Sequence, residues 1–114
     1  MEVQWTKSET GHWLPLRTFD VENVAGSGVY MIWHGGLFPR IVCIGHGDIK
    51  SRLVKDRDDP AVIRYAWYGT LYVTWAVLPA SHQKGVARYL LNMWPPRVAD
   101  GFLDVHPIAV NAPW

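Results

Sequence analysis

A group of basic residues between positions 50 and 64 could bind phosphate. Arg52 is the strongest candidate, because a planar guanidinium fits two phosphate oxygens and stabilises the charge that grows during phosphoryl transfer. The neighbouring cations that could contact a nucleic-acid backbone are Lys50, Lys55, Arg57 and Arg64. Asp56, Asp58 and Asp59 are interleaved with them, so a mixed, solvated helix surface is the alternative. Arg52 itself could simply pair with Asp48 or Asp56.

Cys43, His34 and His46 are the other side chains to which chemistry could be assigned. A thiolate at Cys43 activated by His46 would be a nucleophile, but a cysteine inside an apolar strand usually stays protonated and packs as core. We therefore expect Cys43 to be structural. The two histidines lie near the ends of a predicted hairpin and could orient a phosphate or a water molecule. A lone histidine is more often a polar surface residue, and this interpretation stays open for both.

The elements that must position these residues follow from the apolar pattern. Residues 28–45 are predicted to form a β-hairpin, because an apolar, β-branched and aromatic run is followed by Gly35-Gly36 and a second apolar run. Asp48 is placed to cap a helix that begins at Ile49, and Asp58-Asp59-Pro60 should end it. These predictions place Arg52 on the first turn after the hairpin.

The remaining elements predict an α/β (α+β) domain built on a three-stranded antiparallel sheet flanked by helices. Residues 61–67 are expected to form a short helix, residues 70–78 a strand, and residues 81–94 a helix capped by Ser81. The tail 97–114 is expected to be irregular but packed. Before the core, residues 3–19 are typical of a loose extra hairpin, in which Pro15 indicates a sheet edge.

Composition narrows the classes of function. With 114 residues and 49% hydrophobic composition, the chain can bury the core of one domain. A net charge of +1 produces no global basic field, so a nucleic-acid site would have to be local. Cys43 is the only cysteine, which excludes an intrachain disulfide and a cysteine-rich zinc cluster. We expect a cytoplasmic protein, because no segment has the apolar pattern of a signal peptide or a membrane span.

Seven tryptophans are many for so short a chain, and they have three possible uses. Most should pack in the core or at its edge, because an indole ring contributes a large apolar surface. One or two could stack on nucleic-acid bases, or several could form a surface for a protein partner. They are Trp5, Trp13, Trp33, Trp67, Trp75, Trp94 and Trp114.

Two tripeptides on the predicted hairpin resemble the signature of the GIY-YIG endonuclease superfamily. The first is Gly28-Val29-Tyr30, and the second is Cys43-Ile44-Gly45, where cysteine replaces the usual tyrosine. Arg52 follows Gly45 by seven residues, at the place of the family's catalytic arginine. The last predicted helix, its closing prolines and the late Asn111 also resemble the family pattern. The similarity covers residues 26–111 of a single domain 1–114, with residues 1–25 as an N-terminal hairpin extension.

The resemblance implies a GIY-YIG-like fold, cleavage of a DNA phosphodiester, double-stranded or branched DNA as the partner, and one Mg²⁺ or Mn²⁺ ion as the cofactor. Tyr30 would orient or deprotonate the attacking water and Arg52 would stabilise the phosphate, with His46 nearby. Ala87 stands where the metal-binding glutamate is expected, so a metal ligand would exist there only if glutamate were restored. The residues expected to contact the substrate are Lys50, Lys55, Arg57 and Asn111.

The alanine at position 87 leaves several functions open. Mg²⁺ favours oxygen ligands and usually takes only one or two from protein, so the chain as written is expected to be inactive or nearly so. Ala87 could mark an engineered inactive nuclease, a naturally inert binding protein or a mistaken alignment. The corresponding functions are a metal-dependent endonuclease, a catalytically inert nucleic-acid-binding or regulatory domain, and a tryptophan-rich protein-interaction module. No membrane partner is expected.

Overall fold

The computed structural model describes residues 1–98 and 104–114. Four strands and three α-helices follow one another along this part of the chain, with a 3-10 helix between the second and third α-helices. They are β1 (Leu14–Pro15), β2 (Ser27–His34), β3 (Arg40–Asp48), α1 (Ile49–Arg57), α2 (Pro60–Ile63), the 3-10 helix (Arg64–Trp67), β4 (Leu71–Val77) and α3 (Ala80–Met93). The predicted mixed class and the predicted hairpin are confirmed.

The strands form one antiparallel sheet in the order β1-β4-β2-β3. Strand β2 lies inside the sheet, where Tyr30 is opposite Gly45 on one side and Trp75 on the other. The sheet has four strands instead of three because Leu14–Pro15 pairs with the edge of β4. Proline tolerates this position because an edge strand leaves one row of backbone groups unpaired.

The N-terminal segment forms a turn as a hairpin requires, and both of its arms then lie against β4. The backbone N–H of Ser8 donates to His12 at 2.8 Å across the turn. On one arm Thr6 donates to the carbonyl of Trp75 at 3.0 Å, and on the other Leu14 is paired with Val73. A two-stranded hairpin is marginal alone, and the β4 edge offers backbone partners, so the extension joins the main sheet.

Aspartates set the helix boundaries after the hairpin. Asp48 caps α1 as predicted, because its Oδ2 accepts from the backbone N–H of Ser51 at 3.0 Å. Asp59 caps α2 in the same way through Ala61 at 2.9 Å, and the predicted helix 61–67 is divided into α2 and the 3-10 helix. The predicted cap at Ser81 is wrong: α3 begins at Ala80, one residue earlier, directly after Pro79 and without a side-chain cap.

Side chains of β2 alternate between two buried clusters, one on each face of the sheet. Tyr30 and Ile32 belong to the cluster that contains Ile49 and Leu53 of α1, which we call the α1 face. Val29, Met31 and Trp33 belong to the opposite cluster, which we call the α3 face. The α3 residues packed in that second cluster are Val86, Ala87 and Leu90. A residue's place in this alternation decides which side chains can meet in one site.

The tail and the tryptophans follow the sequence expectations where the structure describes them. Residues 97–98 and 104–114 contain no helix or strand, and Val110 is buried against the α3 face; Phe102 and Leu103, which were expected to help pack the tail, lie outside the described residues. Five of the seven tryptophans are buried or half-buried, and Trp67 and Trp114 are exposed. No helix in residues 1–98 and 104–114 has the length and apolarity to cross a membrane.

Candidate functional site

Tyr30 crosses β3 directly above Gly45. A Cβ atom placed on Gly45 would lie 2.5 Å from the Tyr30 hydroxyl oxygen and 2.6 Å from two of its ring carbons. Only glycine therefore lets the ring pass from β2 across the neighbouring strand toward α1. The first and second tripeptides of the sequence thus contact each other, and the Tyr30 side chain is fully buried.

The Tyr30 hydroxyl donates a hydrogen bond of 2.6 Å to Oδ2 of Asp56, a buried residue of α1. The sulfur of Cys43 lies 3.9 Å from both of these oxygen atoms. Burial, followed by the neighbouring Cys43 and the carboxylate of Asp56, raises the pKa of Tyr30 above its ordinary value. A buried phenol that keeps its proton and donates it in a hydrogen bond to a carboxylate does not fit the predicted role of orienting or deprotonating water.

Arg52 lies next to Tyr30, as the sequence predicts. Its Cζ atom is 5.9 Å from the centroid of the Tyr30 ring, and its side chain is half-buried at the surface of α1. The positive charge partly counteracts the rise in the pKa of the Tyr30 hydroxyl. Two residues that are 22 positions apart in the chain are therefore adjacent because the hairpin is followed immediately by α1. The 5.9 Å between Arg52 and the Tyr30 ring lies within the range of about 6 Å over which a cation is attracted to the face of an aromatic ring.

Asp56 is the member of this cluster that the sequence pattern does not single out as a site residue. Its charge predicts a place on a solvated helix surface, whereas the structure buries it. A signal was present, because Ile49, Leu53 and Asp56 are spaced i, i+4 and i+7, which places them on one side of a helix. An aspartate on the apolar side of a helix requires a hydrogen-bond donor in the core, and Tyr30 provides it.

His46 and Ala87 lie on the other face of the sheet. His46 is opposite Val29, and directly opposed residues of an antiparallel pair share a face, so its side chain projects to the α3 face. Ala87 is 1% exposed and packs in the cluster of that face. Ala87 therefore lies inside the apolar side of its helix and not at its border. The four predicted catalytic positions are thus divided between the two faces.

Arg57, predicted to contact DNA, instead fastens the N-terminal extension. Its Nε donates to the carbonyl of Leu16 at 2.9 Å, and its Nη2 donates to the carbonyl of Phe19 at 2.7 Å. The guanidinium also lies 4.8 Å above the Phe19 ring. The exposed Lys55 and the half-buried Lys50, whose Nζ is 3.4 Å from the Glu22 carbonyl, remain at the surface of α1.

Asn111, the other predicted substrate contact, holds the two ends of the chain together. Its Oδ1 accepts from the backbone N–H of Val3 at 2.7 Å, and its Nδ2 donates to the Val3 carbonyl at 3.0 Å. The indole N–H of Trp5 donates to the Asn111 carbonyl at 2.9 Å. Both polar atoms of the Asn111 side chain are hydrogen-bonded to the backbone of Val3, so this arrangement does not fit the predicted contact of Asn111 with a substrate.

The residues present do not fit the divalent ion that the resemblance implies. The side chain at position 87 supplies no oxygen, and the Asp56 carboxylate accepts a hydrogen bond from the Tyr30 hydroxyl in the α1-face core. In the part of the chain that the structure describes, no three His, Cys, Asp or Glu side chains are grouped so that they could hold a metal. A hard cation such as Mg²⁺ needs at least one such oxygen anchor.

No family model, curated protein or solved structure matches this chain. The similarity to the GIY-YIG superfamily therefore depends on the two tripeptides, on Arg52 and on the order of the elements.

Proposed function

We propose that this chain is a DNA-binding domain of the GIY-YIG type that contacts the DNA backbone through Arg52 and does not cut DNA in the form written. The observation that carries the proposal is the position of Arg52, held over the Tyr30 ring at the junction of the hairpin and α1. A guanidinium that is oriented before binding loses less conformational entropy when it contacts a phosphate. A cytoplasmic location is part of the same proposal.

The surface of α1 supports a backbone contact. Lys50 and Lys55 lie on the same nine-residue helix as Arg52. The helix also contains Asp56, but the side chain of Asp56 is buried in the core. Contacts of this kind are independent of base sequence and suit duplex or branched DNA equally. The small net charge of the chain is compatible with such a local site.

Two features support binding without cleavage. The hydroxyl of Tyr30 is enclosed in the core, where it has no access to an attacking water molecule. Ala87 belongs to the opposite face of the sheet and carries no ligand atom. The chain therefore retains the arginine of the family pattern but lacks an accessible base and a metal anchor.

Replacement of Arg52 tests the proposal. We expect Arg52→Ala to weaken binding to labelled duplex and branched DNA by roughly 10-fold to 100-fold, the range for a lost charge-assisted hydrogen bond. Arg52→Lys should keep part of the affinity, and Lys84→Ala, which removes an exposed charge from α3, should have little effect. Fluorescence anisotropy across a salt series measures these affinities, and thermal unfolding shows whether each variant is folded.

Two results would contradict this function. Salt-independent failure of the unaltered chain to bind any DNA would favour the protein-interaction module, although most of its tryptophans are already packed. Cleavage of duplex, branched or single-stranded DNA by the unaltered chain with Mg²⁺ or Mn²⁺ would establish an active endonuclease instead.

A further inference from the structure

A cavity lies at the far end of the hairpin from Arg52. It is open to solvent, has a volume of about 490 Å³, and is formed where β2 ends, β3 begins and the 3-10 helix terminates. Tyr30 and His34 are four residues apart on β2, so roughly 13 Å of strand separates this end from the Arg52 cluster. Its main side chains are Phe38, Arg40, Arg64, Tyr65, Tyr68 and Arg97.

Close backbone contacts hold the walls of this cavity in place. A Cβ atom on Gly36 would collide with the carbonyl oxygen of Tyr68, so glycine permits the hairpin tip to lie against the end of the 3-10 helix. The N–H of Gly35 donates to the Thr70 carbonyl at 2.9 Å. The N–H of Arg97 donates to Ile41 at 3.1 Å, which places the segment after α3 beside β3.

The charge of the cavity favours an anion. Three exposed arginines line it, Arg40, Arg64 and Arg97, and no aspartate or glutamate is among its lining residues in the part of the chain that the structure describes. This contrasts with the region of α1, where Asp48, Asp58 and Asp59 flank the basic residues of the helix. A guanidinium group can donate two parallel hydrogen bonds to two oxygens of one phosphate, so a phosphate group is the ligand that this lining suits best.

Aromatic rings form a stacked row along the same cavity. The ring of His34 stacks on Tyr68 with centroids 5.4 Å apart, and Tyr68 stacks on Tyr65 at 6.0 Å. Arg64 lies 5.1 Å above the Tyr65 ring. Tyr68 is nevertheless 61% exposed and Phe38 is 76% exposed, so both retain surface that a planar ligand could cover.

His34 adds a polar group that lacks a partner. It is 5% exposed and lines the cavity, and its Nδ1 atom has no hydrogen-bond partner among residues 1–98 and 104–114. Burial, and then the charges of Arg97 and Arg40, lower the pKa of His34, so the neutral ring predominates at neutral pH. A buried nitrogen without a partner costs free energy, so the wall of the cavity carries an unsatisfied polar group.

We propose that this cavity binds a nucleotide unit of a single-stranded nucleic acid, with the phosphate held by the three arginines and the base stacked on Tyr68 or Phe38. The combination of stacking surface and arginine is what such strands require, because every base has a planar face and every unit carries a phosphate. Paired bases in a duplex have no exposed face to offer. The site is separate from the Arg52 cluster and goes beyond the duplex contact proposed above.

Single-residue variants with matched controls test this site. The ligand is a labelled oligothymidylate, titrated with the full chain at several salt concentrations. Tyr68→Ala should weaken binding by roughly 5-fold to 100-fold, the range for the loss of one base stack. Trp67→Ala is the control, because Trp67 precedes Tyr68 in the chain and is 90% exposed but does not line the cavity. It should change the affinity by less than about twofold.

The arginine contribution is measured in the same titrations. Arg64→Ala should lower the slope of log affinity against log salt by about 0.7, the value for one phosphate contact to a single strand. Lys84→Ala on α3 should leave that slope unchanged. Unfolding curves of all four variants identify any loss of affinity that arises from loss of the fold.

Three outcomes would overturn the proposal. They are equal effects of Tyr68→Ala and Trp67→Ala, absence of binding to the oligonucleotide, and competition by free thymidine monophosphate as strong as that by the oligonucleotide. The last result would assign the cavity to a free nucleotide. Failure of duplex binding in the Arg52 experiments, with oligonucleotide binding intact, would reject the first proposal and support this one.

Discussion

The two ends of the β2–β3 hairpin use the same kinds of residue in opposite ways. At the Gly45 end, Arg52, Tyr30 and Asp56 are packed together, and the Tyr30 hydroxyl donates a hydrogen bond to the Asp56 carboxylate in the core. At the hairpin tip, arginines and tyrosines lie at the surface, and no acidic residue among positions 1–98 and 104–114 lines the cavity. The end that resembles a catalytic motif is therefore largely occupied with stabilising the fold, whereas the end without a motif has exposed groups for a ligand.

The largest expected effect comes from removing the buried partner of Tyr30. Asp56→Ala should lower the free energy of unfolding by about 3 kcal/mol, because it leaves the phenol hydroxyl without an acceptor in the core. Asp58→Ala, an exposed neighbour, should cost less than about 0.5 kcal/mol, and Tyr68→Ala at the tip less than about 1 kcal/mol. Urea unfolding measures the free energy of unfolding of all three variants. Similar losses for Asp56→Ala and Tyr68→Ala would show that the two ends of the hairpin do not differ in their contribution to stability.

A double-mutant cycle sharpens the same comparison. If Tyr30 and Asp56 act as a pair, the cost of Tyr30→Phe combined with Asp56→Ala should be smaller than the sum of the two single costs by about 1 kcal/mol or more. Simple additivity would show that the hydrogen bond contributes nothing beyond packing.

The next effect concerns position 87. Glutamate there would place a carboxylate in the apolar cluster of the α3 face, so Ala87→Glu should lower the free energy of unfolding by roughly 2 kcal/mol, and more than Ala87→Gln. We expect no DNA cleavage by this variant with Mg²⁺. Plasmid nicking by Ala87→Glu but not by Ala87→Gln, together with a higher melting temperature in Mg²⁺ for the glutamate variant alone, would restore the endonuclease assignment that the sequence predicts.

A smaller effect should follow from Arg57. Arg57→Ala removes two hydrogen bonds to the carbonyls of Leu16 and Phe19, so we expect a loss of about 1–2 kcal/mol and faster proteolysis within residues 1–25. Lys55→Ala, its exposed neighbour on α1, should not change the proteolysis rate. A lower salt slope for DNA binding by Arg57→Ala, with unchanged proteolysis, would show that this arginine contacts phosphate after all.

The smallest effect is a pH dependence at the hairpin tip. Because the folded pKa of His34 is lower than the unfolded value, the unfolded state takes up a proton first as the pH falls. His34 should therefore reduce stability as the pH falls through about 6.5, the ordinary histidine value, and have no effect well above it. His34→Gln should flatten this part of the stability profile, and His12→Gln, at an exposed site, should not. Identical profiles for the two variants would contradict the burial effect.

Local sequence determined the elements and several of their boundaries. The apolar runs and glycines of residues 28–45 specify the hairpin, and Asp48 specifies the start of α1, because both depend on interactions within a few residues of the chain. The proximity of Arg52 to Tyr30 was also predictable, because helix α1 follows the hairpin without a linker. The spacing of Asp56 from Ile49 and Leu53 also indicates that Asp56 is buried, although its charge alone suggests that it is exposed.

Only the tertiary structure decided what these residues do. Successive side chains of a strand point to opposite faces of the sheet, so Tyr30 and His46 lie on different faces. The packing of α3 against the sheet buries Ala87 on the same face as His46. The partners of Arg57 and Asn111 are backbone groups 38 to 108 positions away, which no local pattern can identify. The cavity at the hairpin tip likewise combines residues 34, 64 and 97, and it exists because chain segments distant in sequence meet where a glycine permits backbone to touch backbone.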